Sequence, residues 1–176
     1  MTHGDGDEGD VSWLSATTLV FGTLGVGPQS PVIRSIQILD LETLKISVLP
    51  ASQGLYSPRC SPDGRYIAAM PVEQDKLRIY DFITKKWSQR TVSNPLFPSW
   101  SRNGRYIYFN SALASEPAFA RVRISDGKVE KVSDLKNVRP ASSIFGAWSG
   151  LAPDDSPLLL RDTGTKEIFA LDWQAR

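Results

Sequence analysis

A chain does chemistry through a few residue types held at fixed spacings, and this one offers few of them. His3 is the only histidine and Cys60 the only cysteine among 176 residues. A Ser-His-Asp triad or a His-ligated metal would have to draw on His3, inside the Gly-rich acidic start MTHGDGDEGD,. A nucleophilic thiolate at Cys60 faces the same lack of a base, so Cys60 reads as a small core residue. SDGK, Ser125 to Lys128, has the spacing of a Ser-x-x-Lys nucleophile pair. That pair needs a helical turn to bring the amine to the hydroxyl, whereas Asp-Gly makes a hairpin. GTLGVG (22–27) lacks the third glycine spacing and the following helix of a phosphate cradle, and reads as a mobile loop,. DGDEGD (5–10) has the look of a calcium loop but no glutamate at the twelfth position and no flanking helices,. Asp63, Asp126, Asp154 and Asp155 fall in or beside turns, where a carboxylate serves the backbone. No residue is therefore assigned a catalytic, cofactor-binding or metal-binding role.

The elements that would have to position such residues are better marked. Apolar residues make up 41% of the chain and charged ones 22%, ordinary values for a globular protein,. Lys plus Arg number 20 against 19 for Asp plus Glu, so no bulk charge draws the chain to nucleic acid,. With one cysteine there is no internal disulfide, and no apolar run reaches the roughly 18 residues of a membrane span,. The acidic start is the reverse of a signal peptide, so the chain as written reads as soluble with no export signal.

The strongest signal is an internal repeat. SPDGRYIAAM (61–70) returns as SRNGRYIYFN (101–110), with Gly64 and Gly104 lying 40 residues apart. Trp100-Ser101 precedes the second turn and Cys60-Ser61 the first; Trp148-Ser149 and, more loosely, the WLSATTLVFGT stretch from Trp13 extend the series. A second anchor joins SIQILDLETLKISVL (35–49) to KLRIYDFITKKW (76–87), with Asp40 and Asp81 in matching places and Asp172 of EIFALDW (167–173) in a third. The equivalent in the third unit is FARVRISDGKVEKV (119–132), where the turn has become Ser-Asp-Gly. Runs such as RYIAAM, RYIYFN, KLRIY and ARVRI are β-branched and aromatic, bounded by Gly, Pro, Asp and Asn, and no capped 3.6-residue period is present. The predicted strands lie near 65–70, 77–81, 106–110 and 119–124. One tryptophan per unit, at 13, 100 and 148, points to packing within or between units.

WSRNGRYIYFN and CSPDGRYIAAM resemble the repeat of the TolB-like, WD-repeat-like β-propellers of bacteria, over nearly the whole chain after residue 11. The stretch WSGLAPDDSPLLLRDTGTKEIFALDW resembles the end of propellers that follow a winged-helix regulator or a Ser/Thr protein kinase domain. The resemblance implies a sensory or protein-binding part rather than a catalytic one.

The fold class expected is all-β: about four four-stranded antiparallel propeller blades, forming an open arc or a fragment of a larger propeller. Residues 1–10 are expected as a flexible acidic leader, with blades at approximately 11–53, 54–94, 95–139 and 140–176. The fourth unit shows three strands before Arg176, and the polar start lacks the β-propensity to complete it. The chain is thus expected to be the C-terminal part of a longer protein, self-associating or marginally stable when alone. The function expected is a non-enzymatic protein- or ligand-binding module of a larger bacterial signalling protein. The alternatives are a propeller associated with a hydrolase, or pure scaffold. The partner is a protein or small ligand, with a kinase or winged-helix module upstream, no direct nucleic acid, no membrane span and no cofactor. The compartment is cytoplasmic for a complete chain and extracytoplasmic for part of a membrane-anchored sensor.

Overall fold

The computed structural model describes residues 7–24, 34–111, 115–141 and 148–165, all of them strand, turn or loop without a helix. The first sheet runs β1 (Asp7–Ser15), β2 (Thr18–Leu24), β3 (Ile36–Asp40) and β4 (Ile46–Val48) in sequence order. The second runs β5 (Leu55–Cys60), β6 (Tyr66–Pro71), β7 (Lys76–Asp81) and β8 (Lys86–Thr91). The third runs β9 (Leu96–Trp100), β10 (Tyr106–Asn110), β11 (Ala118–Arg123) and β12 (Val129–Asp134). A hairpin of β13 (Ser149–Leu151) and β14 (Pro157–Leu159) follows. Every pairing is antiparallel between sequence neighbours, the up-and-down meander of a propeller blade,.

The four strands expected near 65–70, 77–81, 106–110 and 119–124 are β6, β7, β10 and β11. Residues 7–10 depart from the expected leader, because Asp7, Glu8 and Gly9 pair with Leu24, Thr23 and Gly22 as the start of β1. Their polarity is no obstacle: β1 is paired on one side, and Glu8, Asp10 and Val11 of that segment are exposed. The third strand expected in the fourth unit, EIFALDW, lies outside the described residues, as do His3 and Asp172.

Period-2 alternation explains why RYIAAM and RYIYFN read as nearly unbroken apolar runs. Ile67 and Ala69 face the first sheet, in a core with Val20, Ile36, Leu49 and Tyr80. Ala68 and Met70 face the third, in a core with Leu77, Ile79, Ile107, Phe109 and Val122. On the far side of the third sheet, Tyr108 and Phe119 pack with Leu135, Leu151 and Leu159. A sheet covered on both faces has no polar side to alternate with. The first strands meet across sheets, β1 with β5, β5 with β9, and β9 with β13, so they form the inner rim. Among the described residues no strand pairing or apolar core joins the last hairpin back to the first sheet, and the array is open.

Candidate functional site

The duplicated motif is a structural device. In the second sheet Ser61 Oγ donates to Asp63 Oδ1 (2.6 Å) and accepts from the Tyr66 N–H (2.8 Å). Asp63 Oδ1 accepts from the Arg65 N–H (3.1 Å), and Gly64 closes the turn onto the Ser61 carbonyl (2.9 Å). The third sheet repeats every bond with Ser101, Asn103, Gly104, Arg105 and Tyr106. Both glycines sit at positive φ, 69° and 66°. The Ser61 hydroxyl and two backbone N–H groups hold the Asp63 carboxyl below its ordinary value,.

The other acidic turn residues divide. Asp126 and Asp154 accept the backbone N–H two residues ahead, as expected. Asp155 instead reaches the Arg102 N–H (2.8 Å), fastening the last hairpin to the third-sheet turn. Ser125 and Lys128 lie in the β11–β12 turn, where Gly127 N–H bonds the Arg123 carbonyl. Cys60 is packed against the core between the first two sheets, and burial pushes its thiol up to about 11,. Gly22, Thr23 and Leu24 belong to β2, while 25–27 of GTLGVG lie outside the described residues. Among the described residues no group of His, Cys, Asp or Glu could hold a metal.

The tryptophans correct the sequence reading. Trp100 does bridge two sheets: it stacks on Tyr66 (centroids 6.0 Å apart) and donates Nε1–H to the Arg59 carbonyl (2.8 Å). Trp13 and Trp148 are instead 62% and 47% exposed. Cys60 holds the position of Trp100 one sheet earlier, and an open hollow is lined by Trp13, Cys60 and Trp100.

One cleft was not foreseen from the sequence. It occupies about 600 Å³ beside the inner strands, lined mainly by β1, β5 and β9 with Met70 and Gln74 from the second sheet. Asp10, Ser57 and Phe97 all line it, at φ of 57°, 53° and 50°. Each stands three residues before the Trp13, Cys60 or Trp100 position, and each sits where the first strand slips register against the second. The same bulge, with the same left-handed residue, thus recurs in three successive sheets. Such a conformation costs a non-glycine residue roughly 1–3 kcal/mol, and strain of this kind gathers at binding sites. Arg59 Nη2 pairs with Asp10 Oδ1 at 3.0 Å, and Gln74 Nε2 donates to the Tyr56 hydroxyl at 2.6 Å. The cleft is mostly apolar, with Tyr56, Met70, Leu96 and Phe97 as walls and these polar groups at fixed points,. The sequence hid it because Asp, Ser and Phe share no chemistry; only their common offset from the Trp/Cys position marks them.

The solved TolB of Acinetobacter baumannii superimposes with a TM-score of 0.65 and 19% identity, covering 91% of this chain and 39% of that one. The fold is that of a TolB-like β-propeller. Over 82 residues the chain is 30% identical to the Tol-Pal system protein TolB of Francisella tularensis, which is 46% of this chain and 17% of that protein. The β-propeller domain of the Trilobed protease from Pyrococcus furiosus, which has an open velcro topology, matches with a TM-score of 0.60 and 13% identity over 93% of this chain and 57% of that one. No protein-family model matches the chain. The TolB-like chain therefore spans less than two fifths of the TolB structure it resembles. Among the described residues no helix is long and apolar enough to cross a membrane.

Proposed function

We propose that this TolB-like segment is a non-enzymatic, protein-binding module of a larger bacterial signalling protein, and that it binds through the inner-rim cleft. The observation that carries the reading is the triple bulge: three unrelated residues, Asp10, Ser57 and Phe97, hold the same costly backbone conformation around one apolar cleft. Ser57 is buried, but Asp10 is exposed and Phe97 only half-buried, so core packing gives no reason for that cost at two of the three positions. A concave, mostly apolar surface with Arg59–Asp10 and Gln74–Tyr56 as polar fixtures suits an extended peptide,.

Phe97→Gly is the decisive variant, because glycine accepts the positive φ while removing the ring. Peptides selected from a random display library on the parent chain are expected to lose about tenfold or more in affinity for Phe97→Gly, with stability unchanged or raised. Selected peptides that bind both chains equally would refute the cleft as the binding site.

A second reading is favoured by one observation, the likeness to the propeller domain of a protease. In that reading the segment gates or feeds a hydrolase. The flanking coding sequence separates the two: a Gly-x-Ser-x-Gly elbow supports the hydrolase, and a kinase or winged-helix module supports signalling.

A further inference from the structure

A second cleft, on the outer side of the Gly turns between the second and third sheets, is lined by Tyr66, Gly104, Arg105, Tyr106, Arg123 and Ile124 and occupies about 530 Å³. The repeat shows what its chemistry is for. In the second sheet Tyr66 pairs with Asp81, and Arg65, one residue earlier, closes onto the Asp81 carboxylate with Nη2 at 3.0 Å and Nε at 3.4 Å. In the third sheet Tyr106 pairs with Arg123, so an arginine stands at the position the carboxylate holds in the second. The backbone bonds of the two turns match. Lys85 N–H bonds the Asp81 carbonyl as Gly127 N–H bonds that of Arg123, and Phe82 N–H bonds the Arg65 carbonyl as Ile124 N–H bonds that of Arg105.

Arg123 is already neutralised, by Asp126 at 3.0 Å and Glu130 at 2.7 Å. Arg65 has Asp81, and Arg90 from β8 spends its guanidinium on the Ile124 carbonyl. Among the described residues Arg105 has no carboxylate or carbonyl for its guanidinium, and it is exposed at the mouth of the cleft. The floor is held in place: Tyr66 stacks on Trp100, and the Arg90 bond fixes Ile124 across the two sheets.

We infer that this outer cleft binds an acidic segment of a partner protein, whose Asp or Glu carboxylate takes on Arg105 the place that Asp81 takes on Arg65, with a neighbouring apolar side chain on Tyr66 and Ile124. The occupant is a carboxylate rather than a phosphate, because Arg105 is the one arginine lining the cleft without a carboxylate, and Asp126 and Glu130, which hold the cleft's Arg123, disfavour a dianion there,. The proposal shares with the preceding one only the premise that the partner is a protein; it uses a different face and different residues.

The test is an NMR titration of the ¹⁵N-labelled full chain with the blocked peptide acetyl-Gly-Asp-Phe-Gly-amide, its Asn counterpart and inorganic phosphate. The Trp100 indole, stacked on the cleft wall, is the reporter. The Asp peptide is expected to bind in the millimolar range or tighter. A weakening of about tenfold or more is expected for the Asn peptide and for Arg105→Ala, the size of a lost charge-assisted hydrogen bond. Arg102→Ala, a nearby exposed cation outside the cleft, and Phe97→Gly, in the inner cleft, should leave this binding unchanged. Arg123→Asp rebuilds the second sheet's internal pair and should close the site. Arg105→Ala being an exposed change, its fold is checked by unfolding. Equal binding of the Asp and Asn peptides, undiminished binding by Arg105→Ala, stronger binding of phosphate than of peptide, or no saturable binding would each overturn the proposal. Loss of display-peptide binding in Phe97→Gly bears on the inner cleft alone.

Discussion

Gly64 and Gly104 occupy the same place in two copies of one turn, yet alanine should not cost the same at both. Their φ angles differ by only 3°, so the penalty for placing a Cβ at left-handed φ is common to the two, about 1 kcal/mol or somewhat more,. The surroundings differ. A Cβ on Gly104 meets nothing within 4 Å, whereas a Cβ on Gly64 would lie 2.8 Å from the Leu14 carbonyl oxygen of the first sheet. That oxygen is backbone in β1 and cannot rotate away, so relief requires the first two sheets to part slightly. Overpacking of this kind adds about 1–3 kcal/mol. Gly104→Ala is therefore expected to lose about 1 kcal/mol and Gly64→Ala roughly 2–4 kcal/mol. Equilibrium urea unfolding followed by tryptophan fluorescence measures both, with the slope m the same in parent and variants. Equal losses, or a greater loss at Gly104, would refute the close approach of turn and first sheet.

Two further outcomes follow from the cores. The native Cys60 thiol stays protonated to about pH 11 while the same thiol unfolded ionises near 9.0, so stability should fall as pH rises across that interval,. Cys60→Ser should flatten that slope, which unfolding measured at a series of alkaline pH values will show. Trp100→Ala should cost about 3 kcal/mol, through the lost Tyr66 stack and Arg59 carbonyl bond, whereas Trp13→Ala, at a site 62% exposed, should cost less than about 1 kcal/mol by the same assay,.

The blade fold was legible because its signals are local. Ser-x-Asp-Gly and Ser-x-Asn-Gly specify their turn by bonds that span five residues, and alternation of Ile67, Ala68, Ala69 and Met70 assigns faces without knowledge of the neighbours. The polar start failed as a sequence signal because one strand partner suffices to hold β1, whatever its hydropathy. The tryptophan series failed at its ends, since burial of Trp13 or Trp148 depends on what lies against it rather than on its place in the repeat. The inner cleft was illegible for a different reason. A bulge is a property of two strands in register, and neither Ser57 nor Phe97 announces left-handed φ by its type. The outer cleft lay half in view: the Asp40–Asp81 anchor was evident, but only the Tyr106–Arg123 pairing shows that Arg123 stands at the third such position.

The recurrence of the bulge under three dissimilar side chains separates shape from content. Since Asp10, Ser57 and Phe97 all tolerate the same backbone, the inner rim behaves as a row of sockets whose geometry is inherited and whose fillings differ. Asp10 and Phe97 are the two open sockets, where a residue that accepts the conformation changes charge and bulk at the rim, while Ser57 is buried and holds its place as a small residue,. Such a surface can acquire new specificities by point substitution alone, and the chain offers a compact scaffold on which that can be done deliberately.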